Sequence, residues 1–279
     1  MPASQRWSGS PAYVERSLAR YRVPRAFAAR DLFMHLGYWD EPDRAGRSGE
    51  ALVDAQERLN NLVLDCAQLR AGMCILDAGC GFGGTVAAAR QRVPQLTCIG
   101  VNRDPRQLAV AVQAVRDGSF VLADAGQLPI TDGSVDVVLA VECAFHFASR
   151  RQFCAEAARV LRPGGHLVTT DFIAVDAARA LTTADRTSYA RRLLDGLAPW
   201  PDPWNAEGNP DDLAHSVGLA ARIHRDLTPG VLPSYACFLS DWPSAPRHAD
   251  PVDEAVHALG TLQRCGVLRM ELRAFERIR

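Results

Sequence analysis

From Met73 to Phe172 the chain alternates short, almost wholly apolar runs with segments of helical period, and this limits the fold more than any other feature. "MCILDAG", "LTCIGVN", "SFVLAD", "SVDVVLAVE" and "HLVTTDF" read as strands. "GGTVAAARQRV", "PRQLAVAVQAVRD" and "RRQFCAEAARVLR" read as helices. Pro105 opens the second of these and "PGG" stops the third. Strands without a polar face must be covered on both sides, so the pattern predicts an α/β domain built on a mostly parallel sheet. Such sheets bind ligands beyond the carboxyl ends of their strands, and the residues closing the strands are the first candidates for function.

Residues 1–70 are expected to form an N-terminal helical segment, and 71–279 the main domain. The stretch up to about Asp40 is read as helical, with aromatic accents at Tyr13, Tyr21, Phe27, Phe33, Tyr38 and Trp39. The turn-rich "DEPDRAGRSGE" follows, and then the helix "ALVDAQERLNNLVLDCAQLR", with Leu52, Leu59, Leu62 and Val63 at three- and four-residue steps. Residues of about 172–208 are too long for a simple connection and are expected to cap the strand ends. Beyond them "PDDLAHSVGL" reads as a helix, "AARIHRDLT" as a strand, "DPVDEAVHALGTLQRCG" as a helix and "VLRMELRAFERIR" as a last strand.

Composition narrows the partners. The formal net charge is −1 and lysine is absent, against the basic excess of a dedicated nucleic-acid binder. The eight cysteines show no zinc spacing and are read as reduced, structural thiols; no metal is expected. No apolar run approaches the length of a bilayer span, and the first residues lack an apolar signal core. The expectation is a cytoplasmic protein, monomer or homodimer, acting on a small molecule.

The sharpest motif is "ILDAGCGFGGT". Asp77 closes the first strand, and Gly79, Gly81, Gly83 and Gly84 lead into a helix. Glycines so close together let a ligand approach the backbone and permit positive φ. Gly79, Gly81 and Gly84 satisfy the spacing of a dinucleotide site, so spacing alone leaves a nicotinamide enzyme open. A phosphate-binding P-loop requires lysine and is excluded.

The acidic residue followed by G-x-G-x-G, together with the later strand ends "GVN" and "VLAD", the fourth strand and the run "RVLRPGGHL", resembles the class I S-adenosylmethionine-dependent methyltransferases, natural-product type. The resemblance covers residues of about 70–172 and implies a Rossmann-like, mostly parallel seven-stranded sheet with helices on both faces, N-terminal helices and a cap insertion. It implies S-adenosylmethionine as cofactor and S-adenosylhomocysteine as product. Gly79, Gly81 and Gly83 would pass beside the methionine and ribose, and Asp77 would organise the amino-acid end. Asn102 stands where many members carry an acid for the ribose hydroxyls; Arg103, Gln107 and Glu142 are counted beside it. Asp124 would accept from the adenine amino group and the Ala125 N–H would donate to the ring. Tyr38 and Trp39, in "GYWD", would wall the sulfonium, as aromatic faces suit a cation.

"VECAFHF" places Glu142 and His146 just past the fourth strand, and Asp171 ends the fifth. Adjacent parallel strands bring their carboxyl ends together, so His146 is expected as general base with Asp171 orienting its ring. The same pattern is similar to sugar and polyketide O-methyltransferases. The predicted reaction is methyl transfer to a hydroxyl of a secondary metabolite, a glycoside or polyketide. Transfer to carbon or nitrogen of an isoprenoid or aromatic product, and a non-methylating cyclase, stay as alternatives. Substrate contacts are expected from His35, Phe145, Phe147, Trp200, Trp204 and Tyr235. The cap aromatics, including Phe238 and Trp242, fit a ring-containing substrate or a satellite core equally well.

Overall fold

The computed structural model describes residues 12–18, 28–240 and 250–278. Tyr21, Phe27 and Trp242 lie outside them. Strands β1 (Cys74–Ala78), β2 (Thr97–Asn102), β3 (Ser119–Leu122), β4 (Val135–Val141), β5 (Leu161–Ala174), β6 (Leu219–Asp226) and β7 (Leu268–Arg277) form one sheet in the order β3-β2-β1-β4-β5-β7-β6. The first five strands pair in parallel; β7 runs antiparallel to both β5 and β6.

Helices cover both faces because neighbouring strand residues alternate between two apolar layers. Ile75, Val137 and Leu139 face one layer; Leu76, Val138 and Ala140 face the other. Helices α2 (Gly49–Cys66), α3 (Gly84–Arg92) and α4 (Pro105–Ala114) pack on the first layer, and α5 (Arg150–Val160) on the second. The connections after β1 and after β4 therefore leave on opposite faces, and a crevice opens at their carboxyl ends. Local chemistry sets the helix starts. Gly83 enters α3 at φ 85°, and Asp104 caps α4 ahead of Pro105.

Several expectations need correction. The N-terminal stretch is not continuously helical among the described residues. Helix α1 (Ala12–Leu18) and a short 3-10 turn (Ala29–Leu32) precede an irregular strap, residues 33–41, pinned to distant elements. The "PGG" sequence does not separate α5 from β5, since the strand begins at Leu161 and includes it. The cap begins past β5, at about Val175, with α6 (Thr183–Leu197) followed by a turn-rich stretch to α7 (Pro210–His215). Short helices α8 (Thr228–Val231) and α9 (Pro233–Ser240) and the longer α10 (Pro251–Arg264) complete the wall. The eight cysteines are all free. Among the described residues no helix is long and apolar enough to cross a membrane.

Candidate active site

A cavity of about 190 Å³ opens at the β1/β4 crevice. Its floor is Asp77, Gly79, Gly81, Val141, Glu142 and Cys143; the strap closes one side, and α1, Phe145, Phe172, Leu197, Tyr235, Phe238 and α10 the other.

The floor carries two acids in a dry setting. Asp77 is 2% exposed, and no donor among the described residues reaches its carboxylate. Burial alone pushes its pKa up to about 7. Glu142 follows β4 with φ 47°, a left-handed conformation that costs a residue with a Cβ on the order of 1–3 kcal/mol. Its backbone N–H is held by the Thr170 carbonyl at 3.0 Å. Both carboxylate oxygens accept from the Leu36 N–H, at 3.0 and 3.1 Å. Burial outweighs that bond, and the acid is raised to about 8. The loop between them needs its glycines: Gly79 has φ 79°, and a Cβ there would sit 2.7 Å from Cys143. Gly81 has φ 54° and borders the cavity beneath Met34.

His146 stands in a 3-10 turn, Ala144–His146, at the seam of floor and cap. Its Nδ1 lies 2.8 Å from the Pro199 carbonyl. A carbonyl only accepts, so Nδ1 carries the ring hydrogen and Nε2 is left as an acceptor. Burial lowers its pKa to about 4, so the ring is neutral at pH 7. Tyr13 of α1 stacks on it at 5.8 Å, with ring planes 9° apart. His35 repeats the arrangement on the opposite wall. Its Nδ1 is 2.8 Å from the Leu36 carbonyl, Nε2 is buried without a partner, and its pKa is also lowered to about 4 by burial.

The cavity thus gathers Asp77, Gly79, Gly81, Gln107, Glu142, His146, Phe145, His35 and Tyr235 from the expected residues. Others sit elsewhere. Asp171 does not meet His146. It is buried against Arg150, whose Nε donates to it at 2.7 Å, because its side chain leaves β5 away from the cavity. Trp39 packs on Leu52, Ala55 and Cys237, and Tyr38 lies tight against Gly230; neither lines the cavity. Gly83 faces Phe120, Ala111 and Val115, in the core behind the loop. Asn102 spends its side chain on the Asp104 N–H and on Gln107, and only Gln107 reaches the wall. Arg103 is exposed. Asp124 accepts from the Gly126 N–H at 2.8 Å, and it and Ala125 lie beside the cavity rather than on it. Trp200 backs Phe145 and Phe172 from behind, Phe147 meets Phe153 edge-on, and Trp204 packs, half-buried, against the core. Sequence reasoning missed Met34, Leu36, Gln56, whose side chain donates to the His35 carbonyl at 2.5 Å, Cys143, Arg150 and Pro199. Of these only Arg150 left a signal, as a basic residue in the first turn of a helix, where the dipole disfavours it.

The residues present fit a methyl donor that is a cation. Two acids without compensating charge flank a cradle that glycine keeps open. Comparison with known proteins points the same way. A family model described as "Methyltransferase domain" matches residues 76–169. Methyltransferase GfsG of Streptomyces halstedii is 34% identical over 216 residues, covering 74% of this chain and 75% of that protein. The 27-O-demethylrifamycin SV methyltransferase of Amycolatopsis mediterranei is 34% identical over 148 residues, 51% of this chain and 52% of its own length. The solved geranyl diphosphate C-methyltransferase of Streptomyces coelicolor A3(2) superposes with a TM-score of 0.71 at 17% identity, over 95% of this chain and 98% of that one. That likeness gives the Rossmann-like fold. The 34% identity to GfsG over three quarters of both chains, joined to the motif and the acid-lined cradle, settles the membership: this chain belongs to the class I S-adenosylmethionine-dependent methyltransferase family.

Proposed function

We propose that the protein transfers a methyl group to a hydroxyl of an apolar natural product, with His146 Nε2 as general base. One observation carries this: the Pro199 carbonyl holds His146 with its hydrogen on Nδ1, so a bare, neutral acceptor is left at the seam of the cavity. The bound cofactor supplies the methyl group on a sulfonium, and no metal is needed for the displacement. Asp77, Gly79, Gly81 and Glu142 would hold it, with Gln107 at the far end. The strap's Leu36 N–H aims the Glu142 carboxylate, and α1 keeps water from the floor. The acceptor side is aromatic and aliphatic: Phe145, Phe172, Tyr235, Phe238, Val256 and Leu259. Arg16, the arginine on that wall, is ion-paired with Asp253 at 2.7 Å, which disfavours a phosphorylated acceptor. The O-methyltransferase relatives support the same class. His146 would take the hydroxyl proton as the methyl arrives.

The test is incubation with deuteromethyl-labelled S-adenosylmethionine and a panel of apolar alcohols, phenols, indoles and isoprenoids, with the label located by mass spectrometry. Label on oxygen is expected. Label only on carbon or nitrogen overturns the hydroxyl assignment.

A further inference from the structure

Arg150 and Asp171 lie outside the cavity, yet they are the most elaborately bonded buried ions near it. Their side chains are 7% and 8% exposed. Arg150 Nε and Nη2 donate to Asp171 at 2.7 and 3.4 Å, Nη2 also reaches the Phe172 carbonyl at 3.1 Å, and Nη1 donates to the Asp202 carbonyl at 2.9 Å. Only the last bond leaves the sheet, and it ends on the cap. We propose that Arg150, aimed by Asp171, is a positioning residue that sets the tautomer of His146 through the cap segment 198–207. This rests on the reading of His146 as base.

The connection can be followed bond by bond. The Asp202 carboxylate accepts from the N–H groups of Ala206 (2.6 Å) and Glu207 (3.0 Å), which closes the turn. Glu207 returns to the helix: its carboxylate accepts from the Arg151 N–H at 3.1 Å and its carbonyl from Arg151 Nη2 at 3.0 Å. The turn is thereby fastened to the N-terminus of α5. Three residues before Asp202 stands Pro199, whose carbonyl takes the Nδ1 hydrogen of His146. Between them Trp200 wedges against Phe145 and Phe172, at 4.5 and 5.5 Å between ring centres.

The backbone is held under strain at the same place. Ala198 has φ 100° and ψ 179°, a region that residues with a Cβ avoid. Such a conformation persists only where its surroundings over-determine it. Here the anchors are Arg150 and Arg151 downstream and the capped helix α6 upstream. Two arginines in the first turn of α5 also oppose the helix dipole, so the stability of the helix does not explain them.

The chemistry follows from what a loosened cap would allow. Without a fixed carbonyl at Nδ1, an imidazole prefers its hydrogen on Nε2. That form presents a donor, not an acceptor, to the cavity, and the base is lost although every catalytic side chain is present.

The experiment reads the ring nitrogens of His146 by 15N NMR in the cofactor-free protein, assigned by their loss in His146→Gln. The wild type is expected with Nδ1 protonated and Nε2 bare. Removing Arg150 alone would strand a buried charge, so the main variant is Arg150→Met with Asp171→Leu, which removes both. It is expected to shift His146 mainly to the Nε2–H form. Turnover should fall by at least about tenfold, while the KM for cofactor stays within about twofold. Arg150→Lys keeps the ion pair but not the fork, and is expected to lie between. If the double variant fails to fold, Arg150→Lys alone decides. A folded variant that keeps the wild-type tautomer overturns the proposal. If His146→Ala retains full turnover the base reading fails, but the tautomer result still stands or falls alone.

Discussion

The two ends of the cavity solve opposite electrostatic problems. At the sheet end, Asp77 and Glu142 are buried without a counter-charge, and both are raised, to about 7 and about 8. At the cap end the charges are paired before any ligand arrives: Arg150 with Asp171, Arg16 with Asp253. Desolvated acids without partners are unstable alone and are relieved by a cation. Paired charges behind an apolar wall recognise shape and offer nothing to an ion. Under the proposed function the floor would serve the invariant partner and the cap the variable one, with His146 where they meet.

The comparison breaks most visibly at that seam. His146→Ala is expected to lower turnover by about 10²–10⁴-fold with cofactor affinity nearly unchanged, in single-turnover kinetics beside equilibrium binding. The pH profile sharpens this. Only neutral imidazole accepts a proton, and burial lowers the folded pKa to about 4. With cofactor saturating, the rate should therefore rise with pH through about 4 and be flat across 6–7, where an ordinary histidine would still be titrating. An acid limb near 6.5 that disappears in His146→Ala would mean that the ring is solvated.

Next in size is the floor. Gly81→Val adds a branched side chain at φ 54° where Met34 Sδ already lies 3.3 Å from an added Cβ. The thermal shift given by saturating S-adenosylmethionine, about 2.7 kcal/mol at a hundredfold excess over Kd, should vanish. A retained shift would move the cofactor off this loop.

A smaller effect tests the acids directly. A bound cation favours the ionised forms of Asp77 and Glu142, so their pKa values fall and protons leave. At pH 7.5, groups at about 7 and about 8 together hold about one proton, and binding should release it. Calorimetry in buffers of different ionisation enthalpy measures this number. A value of zero would mean that the acids are already charged or do not face the cation.

The smallest effect is expected at Trp39. Trp39→Phe should cost about 1–3 kcal/mol of stability, since the ring packs on Leu52 and Ala55, and should change cofactor affinity less than about twofold. A tenfold loss of affinity would restore it to the cofactor wall.

The sheet was legible because its signals are local. Each of β1–β4 is a short, mostly apolar run, as is the central part of β5, and Asp77 and Glu142 stand at the carboxyl ends of β1 and β4. The antiparallel β7 was not legible, because strand direction depends on the path of the connection and not on composition. Within the site the misses at Leu36 and Pro199 share one cause. The groups that aim Glu142 and His146 are backbone atoms from distant segments. The Pro199 carbonyl stands 53 residues from His146, and the Leu36 N–H 106 residues from Glu142. Any residue type supplies a carbonyl or an N–H, so nothing in the sequence marks them. Tyr38 and Trp39 misled for the complementary reason. Aromatic type suggested a cation wall, but the close approach of Gly37 to Ala55 and of Gly230 to Tyr38 turns both rings into the packing.

The strap and α1 are tied to segments far along the chain. Gly37 donates to Ser234, 197 residues on, Trp39 to the Gly230 carbonyl, and Arg16 pairs with Asp253, 237 residues on. Other fastenings are nearer: Tyr38 donates to the Ala55 carbonyl and Leu36 to Glu142. Closing the long loops to α8–α10 carries the larger entropy cost. The fastenings to α8–α10 are few and discrete, and the wall above the cavity floor is therefore expected to exchange its amide hydrogens before the central strands.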